Sequence, residues 1–401
     1  MARRNGGFIG TDGLDAPDPP TAITTTAGDE QVSVAFTAPT DTGTSAITGF
    51  VAQVSTDGTA YSAGSNTGTS SPIVVSSLTN GTAYTAKVWA INAYGTSSPS
   101  DASASVSPAQ FARGVFAGGE YSNSNVIDYI NISSTGNATD FGDLAAANYS
   151  LAGFSSSTRG VFAGGFESSN SNRIQYITIA STGNTTDFGN LTVARSGNEG
   201  LSSSTRGISA GGYSSGQENT IDYVTIASTG NATDFGNLTV ARNSIAPSGS
   251  PTRGLFGGGS TGSNSNVIDY ITIASAGNAT DFGDFSVTRT KPKGTSNGTR
   301  GVFGGGVDSG GTSNVIDYVT ISSTGNATDF GDLTVVREGP SATSATGVDR
   351  GVFGGGGDGG GGKNEIDYIT ISSTGNATDF GNLTVARSSG AACSSAHGGL
   401  S

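Results

Sequence analysis

The chain of 401 residues contains one cysteine, one histidine, one tryptophan and one methionine. Cys393 can close no disulfide within the chain, metal sites built from His and Cys are excluded by count, and a Cys–His or Ser–His relay has one possible base. His397, the single candidate base, lies among the last five residues, where chain ends fray. Cations are scarce as well. Lys and Arg total 18 against 31 Asp and Glu, a net charge of -13, so the surface that neutralises phosphates is missing and nucleic acid is excluded as a partner. The opening residues 1–10 carry Arg3 and Arg4 but no apolar run of signal-peptide or membrane-span length. The expectation is a protein without membrane insertion that is cytosolic or leaves the cell by a route other than ordinary secretion.

What is present is repetition. From Phe111 onward one pattern is written six times: Arg-Gly with an apolar pair running into glycines, a variable loop, Ile-Asp-Tyr-Ile-Thr-Ile, then Ser-Thr-Gly-Asn-Ala-Thr-Asp-Phe-Gly and a Leu-Thr-Val-Ala-Arg tail. The opening arginines are Arg113, Arg159, Arg206, Arg253, Arg300 and Arg350, a spacing of 46 to 50 residues. That period is too long for tetratricopeptide, ankyrin or leucine-rich repeats and suits propeller blades. Each repeat holds three extended runs, such as 206–212, 220–227 and 232–240, and a weaker Ser-rich fourth such as 243–250, which together make a four-stranded blade. The first repeat lacks its own Ser-rich run, whereas 388–396 follow the sixth. The ring is therefore expected to close by the C-terminal strand entering the first blade, which removes an exposed sheet edge.

Residues 1–20 end in Pro17, Pro19 and Pro20 and read as an extended arm. The segment 21–108 alternates β-rich runs with turn clusters, at 31–36, 47–55, 72–78, 84–93 and 102–107, a sandwich pattern. Period two places Tyr84, Ala86, Val88 and Ala90 on one face and Trp89 on the other. The stretches from Val32 to Gly43, from Ile47 to Ala52 and from Tyr84 to Gly95 resemble the fibronectin type III domain. The resemblance implies a tyrosine capping a corner at Tyr84. Phe36 stands where that family usually carries a buried Trp, so a core repacked around a smaller ring is implied.

The Gly-Gly after an apolar strand, the later Tyr and the closing Arg resemble the kelch repeat, with Phe141, Phe188, Phe235, Phe282, Phe330 and Phe380 where kelch motifs usually carry Trp. The expected fold is thus all-β: an N-terminal fibronectin type III-like sandwich at 21–108 and a six-bladed kelch-like β-propeller at 109–401. Asp128, Asp222, Asp269, Asp317 and Asp367 could offer paired carboxylates for glycoside hydrolysis. Recurring once per repeat, they read better as structural acceptors. The Asn-Ala-Thr sequons read as turn residues, and the acidic, Gly-rich inserts near Asp308 and Asp358 read as surface loops rather than calcium loops. No catalytic residue, cofactor or metal is expected.

Module combination and composition resemble virion structural proteins of tailed phages. The resemblance implies a non-enzymatic tail-associated or capsid-decorating component, present in several copies on the virion, with other virion proteins and a host-surface glycan or protein as partners. A polysaccharide-binding or -degrading tail spike and a bacterial surface adhesin are the alternatives. Phe8 and Ile9 in the arm and Trp89 on the outer sheet face are candidate docking residues. Tyr121, Phe166 and Tyr213 are candidate binding residues, because the connections 120–125, 166–172, 213–219, 260–266, 307–314 and 357–364 differ most among the repeats and lie on one side of a rigid scaffold.

Overall fold

The computed structural model describes residues 15–28, 30–108, 112–121 and 124–395. The chain divides into two compact units, Met1–Phe111 and Ala112–Ser401. Among the described residues everything regular is β-strand apart from one turn of 3-10 helix, Thr346–Val348.

In the first unit a three-stranded sheet (Thr21–Gly28, Gln31–Thr37, Ile73–Ser76) faces a four-stranded one (Gly64–Gly68, Ile47–Ser55, Thr85–Asn92, Gly95–Thr96). Strict alternation along Gln31–Thr37 and Thr85–Asn92 sends Val32, Val34, Phe36, Ala86, Val88 and Ala90 into one core with Phe50, Val54, Val75 and Tyr84. Phe36 and Phe50 stack at 4.7 Å and fill the centre.

Two elements differ from expectation. Residues 15–20 are held by the sandwich: Thr44 N–H donates to the Asp15 carbonyl and Asp18 N–H to the Asp41 carbonyl. The run expected at 102–107 forms no regular strand; only Val106 bridges, to Tyr84. A serine every third residue takes its place. The N–H groups of Ser97, Ser100 and Ser103 donate to the carbonyls of Ala90, Val88 and Ala86, while the three hydroxyls accept from the N–H groups of the same residues at 2.9–3.0 Å. Hydroxyls thus do the work of main-chain carbonyls, and the neighbouring strand keeps its hydrogen bonds although Pro99 forbids a regular ladder.

The second unit contains six four-stranded antiparallel sheets. The third is typical: Glu199–Ser202, Arg206–Ala210, Thr220–Thr225 and Thr233–Asn237, paired in that order. The Ser-rich run, read from the sequence as the last strand of its own repeat, is instead the first strand of the sheet that follows. Every residue of these first strands is buried. They touch the first strands of neighbouring sheets so closely that a β-carbon at Gly153 would stand 2.5 Å from the Ala392 carbonyl oxygen. A small residue or proline stands at that second position in every sheet, Gly153, Gly200, Pro247, Gly294, Ala342 and Ala392, which hides the strand from any apolar-periodicity reading. In the first sheet this position is taken by Ala391–Ser394, paired with Arg113–Gly119.

Four sets of interactions tie each sheet to the next, and each set runs on from the sixth sheet to the first. The Gly of the Ser-Thr-Gly-Asn turn donates to the Phe carbonyl of the preceding sheet, from Gly183 to Phe141 through to Gly136 to Phe380, at 2.7–2.8 Å. The next Asn accepts a main-chain N–H of that preceding sheet through Oδ1, as Asn231 does from Asn190 at 3.0 Å. The opening arginines stack over the Tyr of their own sheet at 4.2–4.6 Å and donate to the closing Ile carbonyl of the next, Arg159 to Ile226 and Arg350 to Ile132 among them.

The tail arginines form the fourth set. Arg195, Arg242, Arg289, Arg337 and Arg387 pair with Asp222, Asp269, Asp317, Asp367 and Asp128 of the following sheet, all buried. Burial pushes the Arg242 guanidinium below and the Asp269 carboxyl above their ordinary values, so each ion depends on the other. Between the first and second sheets both ions are absent together. Asn148 stands in the Arg position and Gln175 in the Asp position, and Gln175 Oε1 accepts from Ala145 N–H at 3.0 Å just as Asp222 Oδ2 accepts from Thr192 N–H at 3.2 Å.

Two predictions follow from these ties. Truncation before Ser388 removes the partner of Arg113–Gly119 and uncovers Phe116 and Val115. The melting temperature should fall by about 10 °C or more, equivalent to ~4 kcal/mol in a unit of this size; an unchanged calorimetric melt would show that the terminal strand is dispensable. Asp269→Gln alone should cost about 3–5 kcal/mol by leaving Arg242 buried and unpaired, and adding Arg242→Asn should recover most of that loss, as the first interface does naturally. Additive losses in denaturant unfolding would contradict the pairing.

Candidate binding face

The connections between second and third strands emerge at one end of each sheet. Their first residues, Glu120, Phe166, Tyr213, Ser260, Val307 and Gly357, bridge by main chain to Ser388, Tyr149, Ser196, Asn243, Thr290 and Glu338. Side chains extend the tie: Asn170 Nδ2 donates to the Ser214 carbonyl and Asn264 Nδ2 to the Val307 carbonyl, both at 3.0 Å. Loops of varied sequence are therefore anchored at both ends.

The three predicted aromatics lie on the first, second and third sheets. Tyr121 is 51% exposed, adopts a left-handed backbone (φ 71°) and rests against Gly357 of the sixth sheet's connection. Tyr213 is 41% exposed. Phe166 is less open than the other two: it is half-buried, its ring tilted against that of Tyr149 with centroids 5.3 Å apart. Tyr149 escaped the sequence reading; the only signal was a Tyr where the other repeats have Ser, Asn, Thr or Glu. Partial burial, and then the Glu120 carboxylate, push its phenol above the ordinary value.

The residues after these bridges, Ser150, Gly197, Ser244, Lys291, Gly339 and Ser389, all have φ between 52° and 64°. Each N–H donates to the carbonyl of the previous member: Gly197 to Ser150, Ser244 to Gly197, Lys291 to Ser244, Gly339 to Lys291, Ser389 to Gly339 and Ser150 to Ser389, at 2.6–3.0 Å. Six main-chain hydrogen bonds thus close on themselves. They surround a space of about 10 Å³, room for one water, whose floor is the buried ion pair of Glu199 and Lys293. Burial pushes Glu199 up to about 7, with Lys293 opposing the shift.

Other candidates lead elsewhere. Trp89 is half-buried on the outer face of the sandwich, edge-on to Tyr61 at 6.4 Å, and Lys87 lies over Tyr61 at 4.8 Å. Phe8, Ile9 and His397 lie outside the described residues. Asp308 and Asp358 turn back on their own loops, accepting from the N–H groups of Gly310 and Gly360. Among the described residues no group of three or more His, Cys, Asp or Glu side chains is placed to hold a metal.

Residues 16–106 match the fibronectin type III domain family. This segment is a fibronectin type III domain. Its tyrosine corner is in place: Tyr84 is buried and its hydroxyl accepts from Thr79 N–H at 3.1 Å. No curated protein matches the chain.

Glu199 supplies a test of the floor of the ring. Its folded pKa stands above the ordinary 4.5, so the folded state holds the proton more tightly than the unfolded one. Stability from this group is full below about pH 4.5 and falls by ~3 kcal/mol as pH rises to about 7. Glu199→Gln should flatten the stability profile in that window; an unaltered slope in urea titrations would refute the burial of the charge.

Proposed function

We propose that the six sheets are the blades of a closed, kelch-like β-propeller and that the chain is a non-enzymatic structural component of a tailed-phage virion. On this reading it binds a host-surface glycan or protein through the variable connections. The four sets of inter-sheet ties, each running from the sixth sheet to the first, support the closed ring. The observation that carries the functional reading is the contrast between the two ends of the sheets. At one end the Ser-Thr-Gly-Asn turns hardly vary because each locks onto its neighbour, so their sequence is fixed by the fold. At the other end the loops vary while their anchors do not, and they present Tyr121, Tyr213 and the Tyr149–Phe166 stack. Exposed aromatic faces on rigid anchors suit sugar rings and protein side chains alike.

A hydrolase reading gains little. The five repeated aspartates that might have formed an acid pair are buried against arginines and accept from Thr or Ser hydroxyls at the head of the tail, so none is free to meet a glycosidic bond. Attachment to the particle falls to the N-terminal arm with Phe8 and Ile9 and to the outer sandwich face with Trp89.

Replacing Tyr121, Phe166 and Tyr213 together by Ser should weaken adsorption to host cells or binding to a partner subunit at least about tenfold, since each exposed aromatic contact contributes around 1 kcal/mol. The melting temperature should change little, because two of the three are exposed. Unchanged adsorption and unchanged assembly would remove this face from consideration.

A further inference from the structure

The chain has four lysines, and two of them, Lys291 and Lys293, meet at the hydrogen-bonded ring. In an acidic protein whose arginines are largely committed to aspartates, tyrosines and carbonyls, this is an unusual concentration of cation. The backbone makes it more so. Lys291 holds a left-handed conformation, φ 56°, at a position filled by Gly in two repeats and by Ser in three. Ser150, Ser244 and Ser389 hold the same left-handed backbone, so the strain belongs to the ring, and what distinguishes this member is the charge on its side chain.

The chemistry around it converges. The hydroxyls of Ser150, Ser244 and Ser389 line the same mouth, and among the described residues no hydrogen bond engages them. Lys293 is occupied by Glu199 below. Lys291 is half-buried and contacts Glu338 at 3.3 Å, and one such contact leaves other donors of its ammonium group for a second acceptor. The space admits one water-sized group and no ring, so only the terminal atoms of a larger molecule can enter while its body lies over the aromatics above.

We propose that this mouth is a subsite for the carboxylate of an acidic saccharide, held by Lys291 and the hydroxyls of Ser150, Ser244 and Ser389. The inference rests on the glycan-binding reading of the variable face and names the class of glycan: one carrying uronic or similar carboxyl-bearing residues. A neutral hydroxyl could enter the same space but would gain no charge-assisted bond from Lys291.

The test is calorimetric titration of the full chain with a glucuronate-containing tetrasaccharide, with its carboxyl-reduced neutral counterpart and with acetate. The acidic form should bind about ten- to a hundredfold more tightly than the reduced form. Lys291→Gln should bring the two together by weakening only the acidic form, and Lys291→Arg should keep the preference. Equal binding of both forms, or a Lys291→Gln variant that keeps the preference, overturns the subsite and leaves the glycan-binding face standing. If neither saccharide binds but acetate shifts the amide resonances of Lys291 and Ser389, the anion subsite holds and its assignment to a saccharide falls. No response to either class overturns both.

Discussion

Six main-chain hydrogen bonds that close on themselves set the terms for the rest of the second unit. Each member must adopt a left-handed backbone, which costs an L-residue about 1–2 kcal/mol, and four of the six are not glycine. The cost is tolerable because the alternative, buried N–H and carbonyl groups without partners, is worse. Once the ring exists, the strands that leave it are crowded together, which explains their content of Gly, Ala, Ser and Pro and why every residue of them is buried. Five of the bonds join residues one repeat apart and the sixth joins Ser150 to Ser389, so the circle depends on both ends of the repeat array being present.

The buried ion pairs answer a different need. A paired Arg and Asp in a dry interior gain little net stability over apolar residues, because desolvation offsets their attraction. Their geometry is nevertheless demanding: Arg242 meets a carboxylate and two carbonyls, of Val267 and Phe256, at once. Such a constellation fixes the register of one sheet on the next. The first interface shows that the requirement is complementarity rather than charge, since Asn148 and Gln175 replace both ions together and keep the contact to the following main chain. Arg195 shows the cost of imperfection: its Nη1 is buried without a partner, whereas Nη1 of Arg242, Arg289, Arg337 and Arg387 each donates to a carbonyl.

Much of this was legible in the sequence because it recurs. The period, the three apolar strands and the displaced terminal strand all follow from repetition and alternation, and the sandwich follows from Tyr84, Phe36 and the faces of its strands. What repetition concealed was long-range pairing. Nothing in a tail ending in Arg says that its partner is an Asp 27 or 28 residues later in the next sheet. The Ser-rich strand was placed in the wrong sheet because small buried residues carry no periodic signal, and the serine ladder of the sandwich was missed because its period is three rather than two. Glu199 and Lys293 stand 94 residues apart at the same position of the third and fifth sheets, where Ala152 and Ala246 of the second and fourth carry no charge, so nothing in the repeat announces that they meet.

Departures from the repeat are where the proposed function collects. On the proposed closed ring, six equal sheets would offer a ligand six equal approaches. This one does not. The aromatics belong to the first three sheets, with Tyr121 reaching toward the sixth, whereas the lysines belong to the fifth. On the proposed reading, an extended ligand lying across such a face meets aromatic surface along one arc and the Lys291 ammonium, shared with Glu338, elsewhere, and so has one favoured direction. Identical repeats supply the rigidity; the residues that break their identity supply the polarity that a directional ligand requires.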